Sequence, residues 1–71
     1  MNKTEIIKKA IYKKVKIEFN DGDILIGWLV PSLMCKNDYT LLPLNQFEDI
    51  TTFCVSHIKH ICYLTNSCSL W

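Results

Sequence analysis

The sequence contains no arginine, only two glycines and two prolines, and no uncharged apolar run long enough to cross a bilayer. Arginine supplies the forked contacts that phosphate and guanine recognition favour. Its absence, together with a formal net charge of +1, argues against a strong positive electrostatic potential that would attract nucleic acid or anionic membranes. The N-terminal MNKTEIIKK carries charges inside its apolar segment and has no small-residue cleavage site. We therefore expect no signal peptide and a cytoplasmic protein.

Recognisable catalytic patterns are also missing. The chain has no H-E-x-x-H, no G-x-S-x-G, no glycine-rich phosphate loop and no paired carboxylates in an apolar surround. Cys54 and His57 could be imagined as a nucleophile and base, but such a dyad needs hydrogen-bond contact and a third orienting group. We expect a protein that is not an enzyme.

Four cysteines are present without any C-x-x-C pair. The arrangement Cys54, His57, His60 and Cys62 offers four zinc-compatible ligand types within nine residues. Strand geometry opposes it, because only His60 and Cys62 would share a face of the predicted last strand. The favoured interpretation is reduced thiols that pack as small hydrophobes, with no metal or cofactor, and a zinc site is the alternative.

The most informative stretch is VKIEFNDGDILIGWLV, residues 15–30. Apolar and polar residues alternate up to Phe19, and the Asp21-Gly22 pair then tolerates the positive φ of a tight hairpin turn. The return strand is apolar on both faces, with Leu25, Gly27 and Leu29 on one and Ile24, Ile26 and Trp28 on the other. The pattern predicts a β-hairpin whose second strand needs cover on each side.

The other elements follow in chain order. Asn2 and Glu5 have capping-box spacing and predict a helix over residues 3–12. The six lysines between Lys3 and Lys16 favour a solvated face over a nucleic-acid patch. Further strands are expected near residues 39–44, 51–55 and 58–64. The prediction is one domain, 1–71, with a barrel over 14–64 and a C-terminal tail, 65–71, that folds back through Leu70 and Trp71.

A helix followed by five strands is the element order of Sm-like and other SH3-like small barrels, and the hairpin makes the resemblance specific. VKIEFNDGDILIGWL resembles the first Sm motif, with Asp-Gly at the turn and glycine and leucine two apart in the second strand. VSHIKHICYL, with Ile58 and Ile61 three apart, is similar to the second motif. YolD-like proteins and small phage or plasmid proteins of low-GC bacteria carry similar openings and endings. The resemblance implies a strongly bent, mainly β fold of five antiparallel strands after a short helix.

The RNA site of the Sm family can be compared position by position. Counting from Gly27, the family's asparagine is matched by Asn37, whereas its aspartate falls on Leu33. The family's Arg-Gly pair aligns with Cys54 and Val55. Because three of the four positions differ, the usual binding of U-rich RNA is not expected.

At 71 residues a single core only just outweighs the entropy of folding, so the chain is expected to form a homo-oligomer. The resemblance suggests a phage-encoded or mobile-element-encoded binding module for RNA or a nucleotide-like molecule, including capture of a host immune signal. The alternatives are a protein-interaction adaptor or inhibitor of a host protein, and a structural assembly subunit. Candidate binding residues are Trp28, Asn37, Tyr39, His57 and Lys59, and candidate interface residues are Ile24, Ile26 and Trp28.

Overall fold

The computed structural model of the protein describes residues 2–32, 38–45 and 49–71. One short helix precedes five strands, and a 3-10 turn, Val55–His57, separates the last two: α1 (Lys3–Lys8), β1 (Lys14–Phe19), β2 (Ile24–Pro31), β3 (Asp38–Pro43), β4 (Thr51–Cys54) and β5 (Ile58–Tyr63). The strands form one antiparallel sheet in the order β4-β3-β2-β1-β5. The predicted mainly β fold, a helix followed by five antiparallel strands, is confirmed. In the described ranges no helix is long and apolar enough to cross a membrane.

The helix α1 is shorter than the predicted span of residues 3–12. Asn2 caps its start, since the Asn2 side-chain oxygen accepts a hydrogen bond of 2.9 Å from the Thr4 N–H. After six residues the chain leaves the helix through turns, and the Tyr12 N–H donates to the Leu29 carbonyl of β2 at 2.6 Å. The Tyr12 N–H is therefore bonded to the sheet, whereas a longer helix would have bonded it to its own backbone.

The hairpin between β1 and β2 has the predicted Asp-Gly turn, and the residues of β2 lie on the predicted faces. Val15 lies opposite Gly27, and Ile17 lies opposite Leu25. Gly22 takes the positive φ of 96° that the turn requires. The Asp21 side chain supports the same turn, because its Oδ1 accepts the Asp23 N–H at 3.0 Å.

The core lies on one face of the sheet and beneath the helix. Register places Leu25, Gly27 and Leu29 on this face together with Val15 and Ile17 of β1. Within the described ranges no polar or charged side chain is buried. The buried hydrophobic residues are Ile7, Ala10, Val15, Ile17, Phe19, Leu29, Tyr39, Leu41, Phe53, Ile58 and Ile61.

The sheet is strongly bent but is not closed into a barrel. Phe19 of β1 and Phe53 of β4 meet edge to face with ring centroids 5.2 Å apart, although two strands separate β1 from β4 in the sheet. The edge strands β4 and β5 are joined by a turn of only three residues, yet no backbone ladder pairs them in the part that the structure describes. The predicted curvature is present, and the predicted closed barrel is corrected to an open sheet.

The C-terminal tail covers the free edge of β5. The Tyr63 N–H donates to the Cys68 carbonyl at 2.9 Å, and the Leu70 N–H donates to the Ile61 carbonyl at 2.8 Å. Trp71 packs against the core, with the Lys3 ammonium 5.4 Å from its ring centroid. The prediction that the tail folds back is confirmed, and this pairing shields an edge that would otherwise present unpaired backbone groups.

Gly27 is the point where β3 approaches β2 most tightly. A Cβ added there would overlap the Leu42 carbonyl oxygen and would lie 3.0 Å from the Leu42 carbonyl carbon and 3.1 Å from Leu41 Cγ. Two of these three atoms belong to the backbone, which cannot rotate away as a side chain can. Only glycine therefore fits at this position of the central strand.

We predict that Gly27→Ala destabilises the protein by about 1–3 kcal/mol, because the added methyl group must push the β3 backbone away from β2. Chemical denaturation followed by tryptophan fluorescence measures the change. Gly22→Asn is the matched control, since asparagine tolerates positive φ and nothing lies within 4 Å of a Cβ at that turn. Equal loss in both variants would mean that backbone freedom, rather than crowding, explains Gly27.

Candidate functional site

The face of the sheet opposite the core, called here the outer face, is largely apolar at its centre. Register places Ile24, Ile26 and Trp28 on it, and Trp28 lies opposite Leu42 of β3. On β1 the corresponding positions opposite these three residues are Glu18, Lys16 and Lys14. The outer face is therefore an aliphatic and aromatic strip bordered along β1 by charges of both signs.

Exposure on this face is high for residues of this type. Trp28 is 41% exposed and Ile24 is 53% exposed. Within the described chain, the exposed large hydrophobic residues lie on or border the outer face: Tyr12, Ile24, Ile26, Trp28, Leu44 and Ile50. A contiguous exposed apolar surface of this kind is characteristic of an interaction site.

The helix does not cover the outer face. Ile7 and Ile11 do not lie over the outer face that carries Ile24, Ile26 and Trp28. Ile7 is fully buried in the core on the opposite side of the sheet, and Ile11 packs against that core. The helix in the described part of the chain packs on the core face of the sheet.

Tyr39, predicted as a binding residue, does not lie on the outer face beside Trp28. It lies opposite Pro31 and Phe53 on the core face, and it is only 5% exposed. Adjacent residues of a strand alternate between faces, so a shift of one position decides which side a ring occupies. Tyr39 is a core residue, and Leu42 is the cross-strand neighbour of Trp28.

The remaining candidate binding residues are not brought together. His57 lies at the hairpin-tip end of the sheet, where its carbonyl accepts the Asn20 N–H at 2.9 Å. Lys59 forms an ion pair of 3.8 Å with Glu18, and Trp28 lies at the opposite end of the hairpin beside Lys14. Asn37 lies outside the described residues. The described candidates therefore do not form one pocket.

Tyr12 is a feature that sequence reasoning missed. It has a φ of 69° although it is not glycine, and its side chain is 70% exposed. Positive φ at a bulky residue costs on the order of 1–3 kcal/mol and persists only where neighbouring structure enforces it. Here the enforcing contact is the hydrogen bond from the Tyr12 N–H to the Leu29 carbonyl. No local sequence signal marks this geometry, because it depends on a strand 17 positions away.

A groove of about 590 Å³ lies beside Tyr12 at the β1 entry. We call it the aromatic–lysine groove, and its lining residues are Tyr12, Lys13, Lys14, Trp28, Tyr63, Thr65 and Asn66. Its lining contains three aromatic side chains and two lysines and no carboxylate. The Lys14 ammonium lies 5.1 Å from the centroid of the Trp28 ring, a cation–π distance.

The residues of the zinc alternative have other contacts. Cys54 Sγ donates to Asp38 Oδ1 at 2.9 Å, and His60 Nε2 lies 2.7 Å from Ser69 Oγ. Over residues 2–32, 38–45 and 49–71, no group of three or more cysteine, histidine or acidic side chains is placed to hold a metal ion. The geometry of the described residues therefore gives the four-residue cluster no support.

Comparison with known proteins leaves the chain without an assigned family. No protein-family model matches it, and no curated protein or solved structure shows significant similarity to it.

We predict that Trp28→Ala leaves the protein folded, with a loss of no more than about 1 kcal/mol, because the ring is largely exposed and contacts Lys14 rather than the core. The adjacent core residue provides the matched comparison: Leu29→Ala should cost about 2–5 kcal/mol by leaving a cavity. Urea unfolding of both variants tests the assignment of the two faces. Losses of similar size would show that the faces are wrongly assigned.

Burial raises the pKa of the Tyr39 hydroxyl above its ordinary value of 10.0. The folded protein therefore keeps this proton at a pH where the unfolded chain has begun to lose it, so stability falls as pH rises past 10. In Tyr39→Phe the fall should be shallower. The urea midpoint of each protein at pH 7 and at about pH 10.5 measures this loss of stability. An equal drop in midpoint for the wild type and Tyr39→Phe would contradict the prediction.

Proposed function

We propose that the protein is a small non-enzymatic binding module that self-associates through its outer face. The observation that carries the proposal is the gathering of the exposed large hydrophobic residues on and around that one face. Burying such side chains gives about 1.5–3 kcal/mol each when burial is complete, which is the usual driving force of association. Because the core of this protein is small, apolar surface buried on association adds a large share to its total stability.

The charges along β1 favour a second copy of the chain as the partner. Lys16 and Glu18 lie two positions apart on the outer face, opposite Ile26 and Ile24. In a two-fold arrangement centred on these isoleucines, Lys16 of one protomer faces Glu18 of the other, and the reverse contact follows by symmetry. A self-complementary pattern of this kind sets the orientation of the apolar contact.

The edges of the sheet give a further reason to place the contact on the face. The tail already pairs with β5, and β4 contributes only four residues to the opposite edge. A face-to-face contact requires neither edge to open. The resemblance of the hairpin to Sm-like domains supports a binding role in general, and the proposed contact is specific to this chain's outer face.

Association should be lost in the double variant Ile24→Ser/Leu44→Ser, which removes two exposed apolar side chains without touching the core. Sedimentation velocity at micromolar concentration should find an oligomer for the wild type and a folded monomer for the variant. Lys8→Ser, a substitution on the exposed side of the helix, is the control and should leave the oligomer intact.

Reversing the charges of Lys16 and Glu18 tests the proposed charge arrangement. Lys16→Glu and Glu18→Lys should each weaken association through like-charge contacts, whereas the variant with both changes should regain it. A monomeric wild type would refute self-association and leave docking on a different protein, as an adaptor or inhibitor, as the use of this face. If every one of these variants still forms the oligomer, the interface lies on a different surface.

A further inference from the structure

We propose that the aromatic–lysine groove is a binding site for a nucleoside phosphate, a ligand with a planar base and a compact anionic group. The site lies within one protomer, at the end of the outer face where β1 begins. It shares Trp28 with that face but lies away from the Ile24 and Ile26 centre of the proposed contact. The inference is therefore separate from self-association.

The aromatic residues supply the base-binding part of the groove. Tyr12 is held with its ring projecting into solvent, and its backbone is fixed by the hydrogen bond to Leu29. The Tyr63 hydroxyl donates to the Lys9 carbonyl at 3.4 Å, which anchors a second ring of the lining. An exposed ring held in place, as that of Tyr12 is, offers a stacking surface to a base at a low cost in conformational entropy.

The lysines supply the anion-binding part. Lys13 and Lys14 both line the groove, and neither forms an ion pair with a carboxylate in the portion of the chain that the structure describes. Lys14 rests on the Trp28 ring, so one cation is held next to an aromatic surface before any ligand arrives. Two uncompensated positive charges beside exposed rings match a phosphate attached to a nucleoside.

Neutral polar groups complete the lining. Asn66 accepts the Cys68 N–H through its side-chain oxygen at 3.0 Å, and its amide nitrogen remains as a donor. Thr65 adds a hydroxyl beside it. These groups fit the carbonyls and hydroxyls of a nucleoside, whereas a purely apolar ligand would leave them unpaired.

A single nucleotide fits better than a nucleic-acid strand. A strand needs a basic path that follows several phosphates, but this chain has a formal net charge of +1 and no arginine. The positive charge of the groove comes from two adjacent residues. A volume of about 590 Å³ is within the range of small-molecule sites.

The experiment is isothermal titration of the intact protein with AMP, GMP, CMP and UMP, with adenosine and inorganic phosphate as partial ligands. At least one nucleotide should bind with a dissociation constant below about 1 mM, which is the order of magnitude of weak but specific binding. Adenosine and phosphate should each bind at least about tenfold more weakly than the best nucleotide, because each lacks one half of the contacts.

Variants separate binding from folding. Tyr12→Gly removes the ring and suits the positive φ, so it should keep the melting midpoint at or above that of the wild type while weakening nucleotide binding about tenfold. Lys14→Ala should weaken binding by a similar factor of about ten. Lys59→Ala removes the same charge at the other end of the sheet and should change the affinity by less than about twofold.

Absence of binding by all four nucleotides at 1 mM would overturn the proposal. Binding that Tyr12→Gly leaves unchanged, or that phosphate alone reproduces, would also overturn it. Preference for a uridine oligonucleotide with no mononucleotide binding would replace it with strand recognition. The Ile24→Ser/Leu44→Ser monomer should bind nucleotide as the wild type does, so failure of this site and failure of self-association give different results.

Discussion

The close approach of β3 to β2 at Gly27 is the constraint on which the rest of the structure depends. The absence of a side chain lets the Leu42 carbonyl lie where a Cβ would otherwise be. Tight packing at the middle of the sheet accompanies its strong bend, and the bend brings Phe19 and Phe53 into contact across two intervening strands. The core is enclosed because the sheet curls around it and α1 covers the open side.

The same bend leaves β2 with two unequal faces. Leu29 is fully buried, whereas its neighbour Trp28 remains substantially exposed. Among the described residues, the helix lies on the core and the tail lies on the β5 edge, so neither covers the outer face. In the described ranges, the exposed apolar face follows from a central strand that is apolar on both sides in a protein of small size.

Charged residues border this surface without entering the core. Lys14 lies on the Trp28 ring, and Lys59 pairs with Glu18 near the other end of the hairpin. The two ends consequently differ in character, one with uncompensated lysines beside aromatic rings and the other with mixed charge. That difference would allow the proposed protein contact and the proposed ligand groove to occupy neighbouring parts of one face.

Local sequence patterns determined the hairpin, its Asp-Gly turn and the order of the strands along the chain, because alternation and tolerance of positive φ are properties of neighbouring residues. Tertiary structure alone decided which face of β2 is covered. It also placed Tyr39 in the core, ended the helix early, left the barrel open and forced the strained backbone of Tyr12. These outcomes depend on contacts between residues far apart in the chain, such as the hydrogen bond from Tyr12 to Leu29, which no short window of sequence contains.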